Sequence, residues 1–397
     1  MAGSVSLPRP TPWLAMVMGS LYVAMGGVLA VLLPAQVERI DPDGKVGSLA
    51  VVTSVAFAVT LFSQPLIGAA SDRTFTRIGG RWPWMLGGAL IGGAAVASLG
   101  WMHSILALAV LWAIGQFALN GVDITASTGV VDEFERGRRG RPSGVLAASV
   151  AVGAGVGAVL AGLLTATPPL AFGALAAIAV AGSVVFVIGR RAPRVAVVAA
   201  SAPPRSRLQA DFVWAMAARF SFTLGQQAVS TYLLYILSDH IGVSARSAPL
   251  LVSMLTGTGL VGLLLAAVIA GRWSDRTGRR RPLLVAASAI FTVGMLLPIF
   301  SPVLPVMFVY AFVQGAALGM HLAVGGALIA EVLPGADRRP GRDLGLANTV
   351  VNAAQAAAPL AAGAVVLATG GYVALFLFAI LAAVLSALAA LRVRGVR

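Results

Sequence analysis

Twelve apolar runs of about 20 residues, each with few charges inside it, divide this 397-residue chain. A helix rises about 1.5 Å per residue, so every run is long enough to cross roughly 30 Å of hydrocarbon. A chain that is 58% hydrophobic and only 11% charged cannot give such runs the polar shell a water-soluble fold requires. The mean hydropathy of +0.91 says the same. The pattern predicts helical segments at 11–34, 46–70, 82–102, 104–130, 143–165 and 170–190, then at 210–237, 247–270, 282–301, 303–330, 343–368 and 370–391. One linker of any length, Arg191 to Gln209 with Pro193, Pro203 and Pro204, divides them six and six, which predicts domains at 1–195 and 196–397.

The net charge of +14 would point to nucleic acid in a soluble protein. Here the charges alternate from loop to loop. If the first segment enters from the cytosol, 24 of the 28 basic residues fall on the cytosolic side. The basicity is therefore topogenic, with both termini cytosolic in the cell membrane and no nucleic-acid partner. The polar start MAGSVSLPRP leads into a full-length apolar segment without a cleavage signal, which reads as a membrane helix, not a signal peptide. Cysteine is absent, which removes disulfides and thiolate chemistry.

The chain also repeats itself. GxxSDRT occurs at Gly68–Thr74 and again, 203 positions later, at Gly271–Thr277, each copy between the second and third segments of a half. A second pair, GRPSGV at Gly140 and GRDLGL at Gly341, follows acidic residues at an offset of 201. Two motif pairs at nearly one offset indicate two related halves.

These features together resemble the major facilitator superfamily. The longer first hairpin, SDRTFTRIGGRWPW, is similar to that of the glycoside-pentoside-hexuronide cation symporters and the sucrose-proton symporters, and EVLPGADRRPGRDLGLAN resembles the connection before their eleventh helix. The resemblance implies an all-α integral membrane fold of twelve transmembrane helices in two pseudo-symmetric six-helix halves. It also implies a monomeric secondary transporter that moves a small organic solute by alternating access, coupled to protons, with a sugar or glycoside as first substrate. The first, fourth, seventh and tenth segments would line its cavity. Asp72 would meet the eleventh segment and Asp275 the fifth, closing the cytosolic side. Gly68 and Gly271 would let the backbones approach, with Arg73, Arg81, Asp132, Arg276 and Arg279 completing the charged clusters. The alternative for that set is a solvated loop that only fixes topology.

Inside the segments, charge is rare and therefore informative. Asp123 and Arg219 each stand well within the membrane, where an unpaired charge costs about 2.5–3.5 kcal/mol on insertion scales. Polar stripes at helical spacing surround them: Gln116, Asn120 and Asp123 in the fourth segment, Arg219, Thr223 and Gln226 in the seventh, Gln314 and His321 in the tenth, and Asn348 and Asn352 in the eleventh. Tyr22 in the first could add a hydrogen bond. These residues are the expected substrate and proton cavity, with Asp123, alone or with His321, as proton carrier and Arg219 tuning it. The competing reading makes Asp123 and Arg219 a structural ion pair, and the amides mere bonds between helices.

Other functions have little to rest on. Histidines 103, 240 and 321 lie in different segments, so no metal site is expected, and no phosphate loop accompanies the only lysine, Lys45. Neither a nucleophile with a base nor a cofactor motif appears, so no cofactor and no enzyme is expected. The glycines at 153, 155 and 157 follow no strand, and small residues at this spacing serve close helix packing. Two rivals remain, a proton-driven exporter of a hydrophobic drug or metabolite and a non-transporting membrane sensor or scaffold.

Overall fold

A computed structural model describes residues 10–72, 74, 82–133, 140–189, 210–332 and 340–393. Among the described residues all regular structure is helical. The first segment is α1 (Pro10–Gly27), a π-turn (Val28–Leu32) and α2 (Leu33–Ile40) in unbroken succession. It runs six residues past the end expected at Pro34. The wide π-turn just before Pro34 is the reason: proline offers no N–H and crowds the carbonyl four residues earlier, and a π-turn relaxes both demands without ending the helix.

The remaining helices are α3 (Lys45–Asp72), α4 (Trp82–Ser98), α5 (Ile105–Glu133), α6 (Gly140–Leu164) and α7 (Pro168–Gly189). After them come α8 (Ala210–Thr231), a short turn α9 (Leu233–Tyr235), α10 (Ala248–Thr277), α11 (Arg280–Phe300), α12 (Leu304–Val332), α13 (Pro340–Thr369) and α14 (Val373–Arg392). Eleven of the described helical stretches are long and apolar enough to cross a membrane. The seventh expected segment, α8, has the length, at 22 residues, but its polar face carrying Arg219, Thr223, Gln226 and Gln227 lowers its hydropathy.

The chain forms two compact units. Met1–Pro42 and Ala58–Ala199 make the first, Asp43–Phe57 and Ala200–Arg397 the second, so the division falls inside α3. In the first unit α1 packs along α6, and α4 lies against α5 and α7. Close approach explains the glycines of α6: a side chain on Gly157 would strike the backbone carbonyl of Val23, and one on Gly153 that of Gly19. With apolar lipid on every side, such small-residue contacts give membrane helices the dispersion and backbone approach that hold them together. In the second unit Gly315 and Gly319 of α12 do the same against Gly259 and Leu263 of α10.

The second unit also shows what its charged hairpin is made of. Helix α10 runs through the whole GRWSDRT motif to Thr277. It ends on Gly278, whose left-handed backbone (φ 64°) closes the turn with its N–H on the Ser274 carbonyl at 2.9 Å. Helix α11 starts at Arg280, and the arginine run then divides. Arg280 donates to the Ala327 carbonyl of α12 and Arg281 to the Leu391 carbonyl of α14 at 2.6 Å. Arg392 lies over the Trp214 ring, 5.5 Å from its centre.

Candidate functional site

Sequence separation hides the first pairing. Helix α1 brings Tyr22 alongside α5, near enough for its phenol and the Asp123 carboxylate to act on one another. One turn earlier on α5, Asn120 is committed differently. Its Nδ2 donates to Thr60 Oγ1 of α3 at 3.0 Å and to the Gln116 carbonyl at 2.7 Å. Gln116 is buried, and its Oε1 has no hydrogen-bond partner. The fourth-segment stripe thus contains one carboxylate, one amide that ties two helices together and one open acceptor.

In the second unit, α8 and α12 meet through rings. His321 stacks flat on Phe222, with centroids 3.9 Å apart and planes 5° from parallel, and Phe222 in turn leans on Phe291 of α11 at 5.1 Å. Arg219, one turn before Phe222, stands close enough for its charge to act on His321. His321 is 4% exposed and its Nδ1 makes no hydrogen bond. Gln314 ties α12 to α11 by donating to the Phe291 carbonyl at 2.9 Å, leaving its Oε1 unpartnered. Asn352 of α13 is 7% exposed with an unpartnered Nδ2, while Asn348 is exposed. Thr223 is half-buried, and Gln226 donates to Ser230 on its own helix at 2.8 Å.

Of the expected gating set, Asp275, Arg276 and Arg279 are exposed. The side chains of Asp72 and Asp132, and all of Arg73 and Arg81, lie outside the described residues. Among the described residues nothing stands within 4 Å of where a side chain on Gly68 or Gly271 would begin. An apolar cavity of about 460 Å³ lies between α3, α4 and α5, lined by Val59, Trp84, Ile91 and Phe117 among others. None of the expected polar residues lines it. No group of three or more His, Asp or Glu that could hold a metal occurs among the described residues.

Two clusters escape a reading by sequence. Phe222 and Phe291 look like ordinary core, and only the fold sets them against His321. At the other end of the second unit, Lys45 meets Asp239 at 2.8 Å, Tyr372 donates to the second Asp239 oxygen at 2.8 Å, and Tyr232 donates to the carbonyls of Val46 and Pro359. The single lysine of the chain was the available signal.

Twelve helical stretches of membrane-spanning length make this a multi-pass membrane protein. The chain matches the Major Facilitator Superfamily over residues 14–265 and again over 215–397, and belongs to that family. Solved structures share the fold. A bacterial homolog of the human lysosomal transporter Spinster, inward-facing and unoccupied, is 13% identical, with 96% of each chain covered and a TM-score of 0.69. The nucleoside transporter NupG is 11% identical, with 96% of this chain and 98% of that one covered and a TM-score of 0.72. A search among curated proteins returns no match.

Proposed function

We propose that this protein is a proton-coupled secondary transporter that carries a small polar organic solute by alternating access between its two halves, 1–195 and 196–397. The observation that carries the reading is the Asp123 carboxylate beside Tyr22 inside membrane-spanning helices. A carboxylate there is costly unless it is paired, wetted or protonated, and a partner that reorients between two states changes which of these applies. In the second unit Arg219, Thr223 and His321 supply the polar groups of this reading.

A sugar or glycoside is the first substrate to try. The unpartnered acceptors Gln116 Oε1 and Gln314 Oε1 suit a solute with hydroxyl donors. The hairpin motif supports the same choice. Gating falls to the two SDR hairpins at the cytosolic face, and the protein works as a monomer in the cytoplasmic membrane.

Proteoliposomes containing the protein, with a pH-sensitive dye inside, test this. A sugar panel and a panel of hydrophobic cations are run beside each other. Inward proton movement with a sugar, lost in Asp123→Asn, is the expected result. Signals from hydrophobic cations alone would favour the exporter, and an Asp123→Asn protein that moves protons like the parent would remove Asp123 from the coupling site.

A further inference from the structure

Arg219 stands near the middle of α8, away from the described carboxylates of its own unit. In the second unit the carboxylates whose side chains are described are Asp43, Asp211, Asp239 and Asp275, all at helix ends or in turns. The nearest along its own helix, Asp211, is eight residues away, about 12 Å at 1.5 Å per residue. Among the described residues Arg219 makes no hydrogen bond or ion pair within its unit, and its side chain is half-buried. A guanidinium carries five N–H donors and no acceptor, so what completes it must accept.

The groups around it are also short of acceptors. Helices α8 and α13 run in the same direction: Val350 packs with the core around Phe212 and Ala218 near the start of α8, and Pro359 takes the Tyr232 hydroxyl bond just past its end. Asn352 lies between those two points, as Arg219 and Phe222 do on α8. Its buried Nδ2 is a donor with nothing to donate to. His321, held flat against Phe222, adds an unpartnered ring nitrogen, Nδ1, at the same level. A cation, an amide donor and an imidazole nitrogen thus stand on three helices, α8, α13 and α12, of which α13 and α12 both pack against α8.

We propose that Arg219, Asn352 and His321 form the binding site for an anionic group, and that the transported solute is a small organic anion whose carboxylate, or an equivalent oxyanion, seats on Arg219. Phe222 is a positioning residue, since it sets the imidazole plane. The proposal rests on the transporter reading above and replaces the neutral sugar named there with an anionic solute, a sugar acid among them.

Binding is read without transport, so the two readings fail separately. The full-length protein in detergent is heated with succinate, lactate, benzoate or galacturonate, and with the neutral counterparts succinamide, glycerol, benzyl alcohol and galactose. At least one carboxylate should raise the unfolding temperature in a saturable way that its counterpart does not. Arg219→Gln should weaken that effect about tenfold or more, the loss expected for a charge-assisted hydrogen bond, and Arg219→Lys by less. Size-exclusion profiles and helix content confirm that the variants fold. The proposal is overturned if no carboxylate stabilises the protein, or if Arg219→Gln binds as tightly as the parent. It is also overturned if Arg219→Gln is unstable and adding Asp123→Asn restores it, which would make Arg219 half of an ion pair. A protein that binds a carboxylate but moves none of it into vesicles sinks the transport reading alone.

Discussion

At the residue scale, one hydroxyl distinguishes a tuned carboxylate from a merely buried one. Tyr22 and Phe differ by the oxygen that stands by Asp123, so Tyr22→Phe keeps the ring's packing and removes the one donor the ring could offer the carboxylate. A hydrogen bond to a charged group contributes about 1.5–3 kcal/mol, and each 1.4 kcal/mol is a factor of about ten in an equilibrium. Tyr22→Phe should therefore leave folding intact and change the pH profile of proton-coupled uptake. A pH profile unchanged from the parent would place Tyr22 outside the coupling machinery. Much of this site was legible because ionisable residues are so rare in apolar segments that Asp123, Arg219 and His321 single themselves out. Their partners were not. Phe222 is chemically indistinguishable from core until the fold lays it on His321, and Asn120 reads as a cavity residue until Thr60 takes its amide.

At the element scale, the closest contacts are where change is least tolerated. Gly157 of α6 faces the Val23 carbonyl of α1 with no room for a methyl group, and backbone on both sides cannot move aside as a side chain would. Overpacking typically costs about 1–3 kcal/mol, so Gly157→Val should lower the detergent unfolding temperature clearly. Gly173, beside which nothing stands within 4 Å, is the control: Gly173→Val should change it little. Equal effects at the two positions would mean that α1 and α6 are not packed this closely. The spacing of four between Gly153 and Gly157 announced this interface, whereas the arginine run announced only topology. Arg280 and Arg281 also bond the backbone carbonyls of α12 and α14, a use that needs the neighbouring helix ends and so is invisible in one dimension. The first segment's extension past Pro34 was hidden for a related reason, because a π-turn leaves no compositional mark.

For the whole molecule the strongest constraint is how charge is distributed along the chain, because it fixes which loops stay on the side of synthesis. Twenty-four of 28 basic residues fall in alternate loops, and the arginine-rich stretch 190–209 is among them, while the turn between α4 and α5 around Ser104 has none. Arginine-rich loops near membrane segments resist translocation, so the first stretch should be cytosolic and the second external. The absence of cysteine makes this directly testable, since any thiol introduced is the only one. Ser104, exposed in its turn, is a suitable external position. In intact cells a membrane-impermeant maleimide should label Ser104→Cys and leave Ala200→Cys untouched until the membrane is opened. The reverse pattern would invert the molecule and move the SDR hairpins to the external face. It would also reassign any gate they form to the opposite step of the transport cycle.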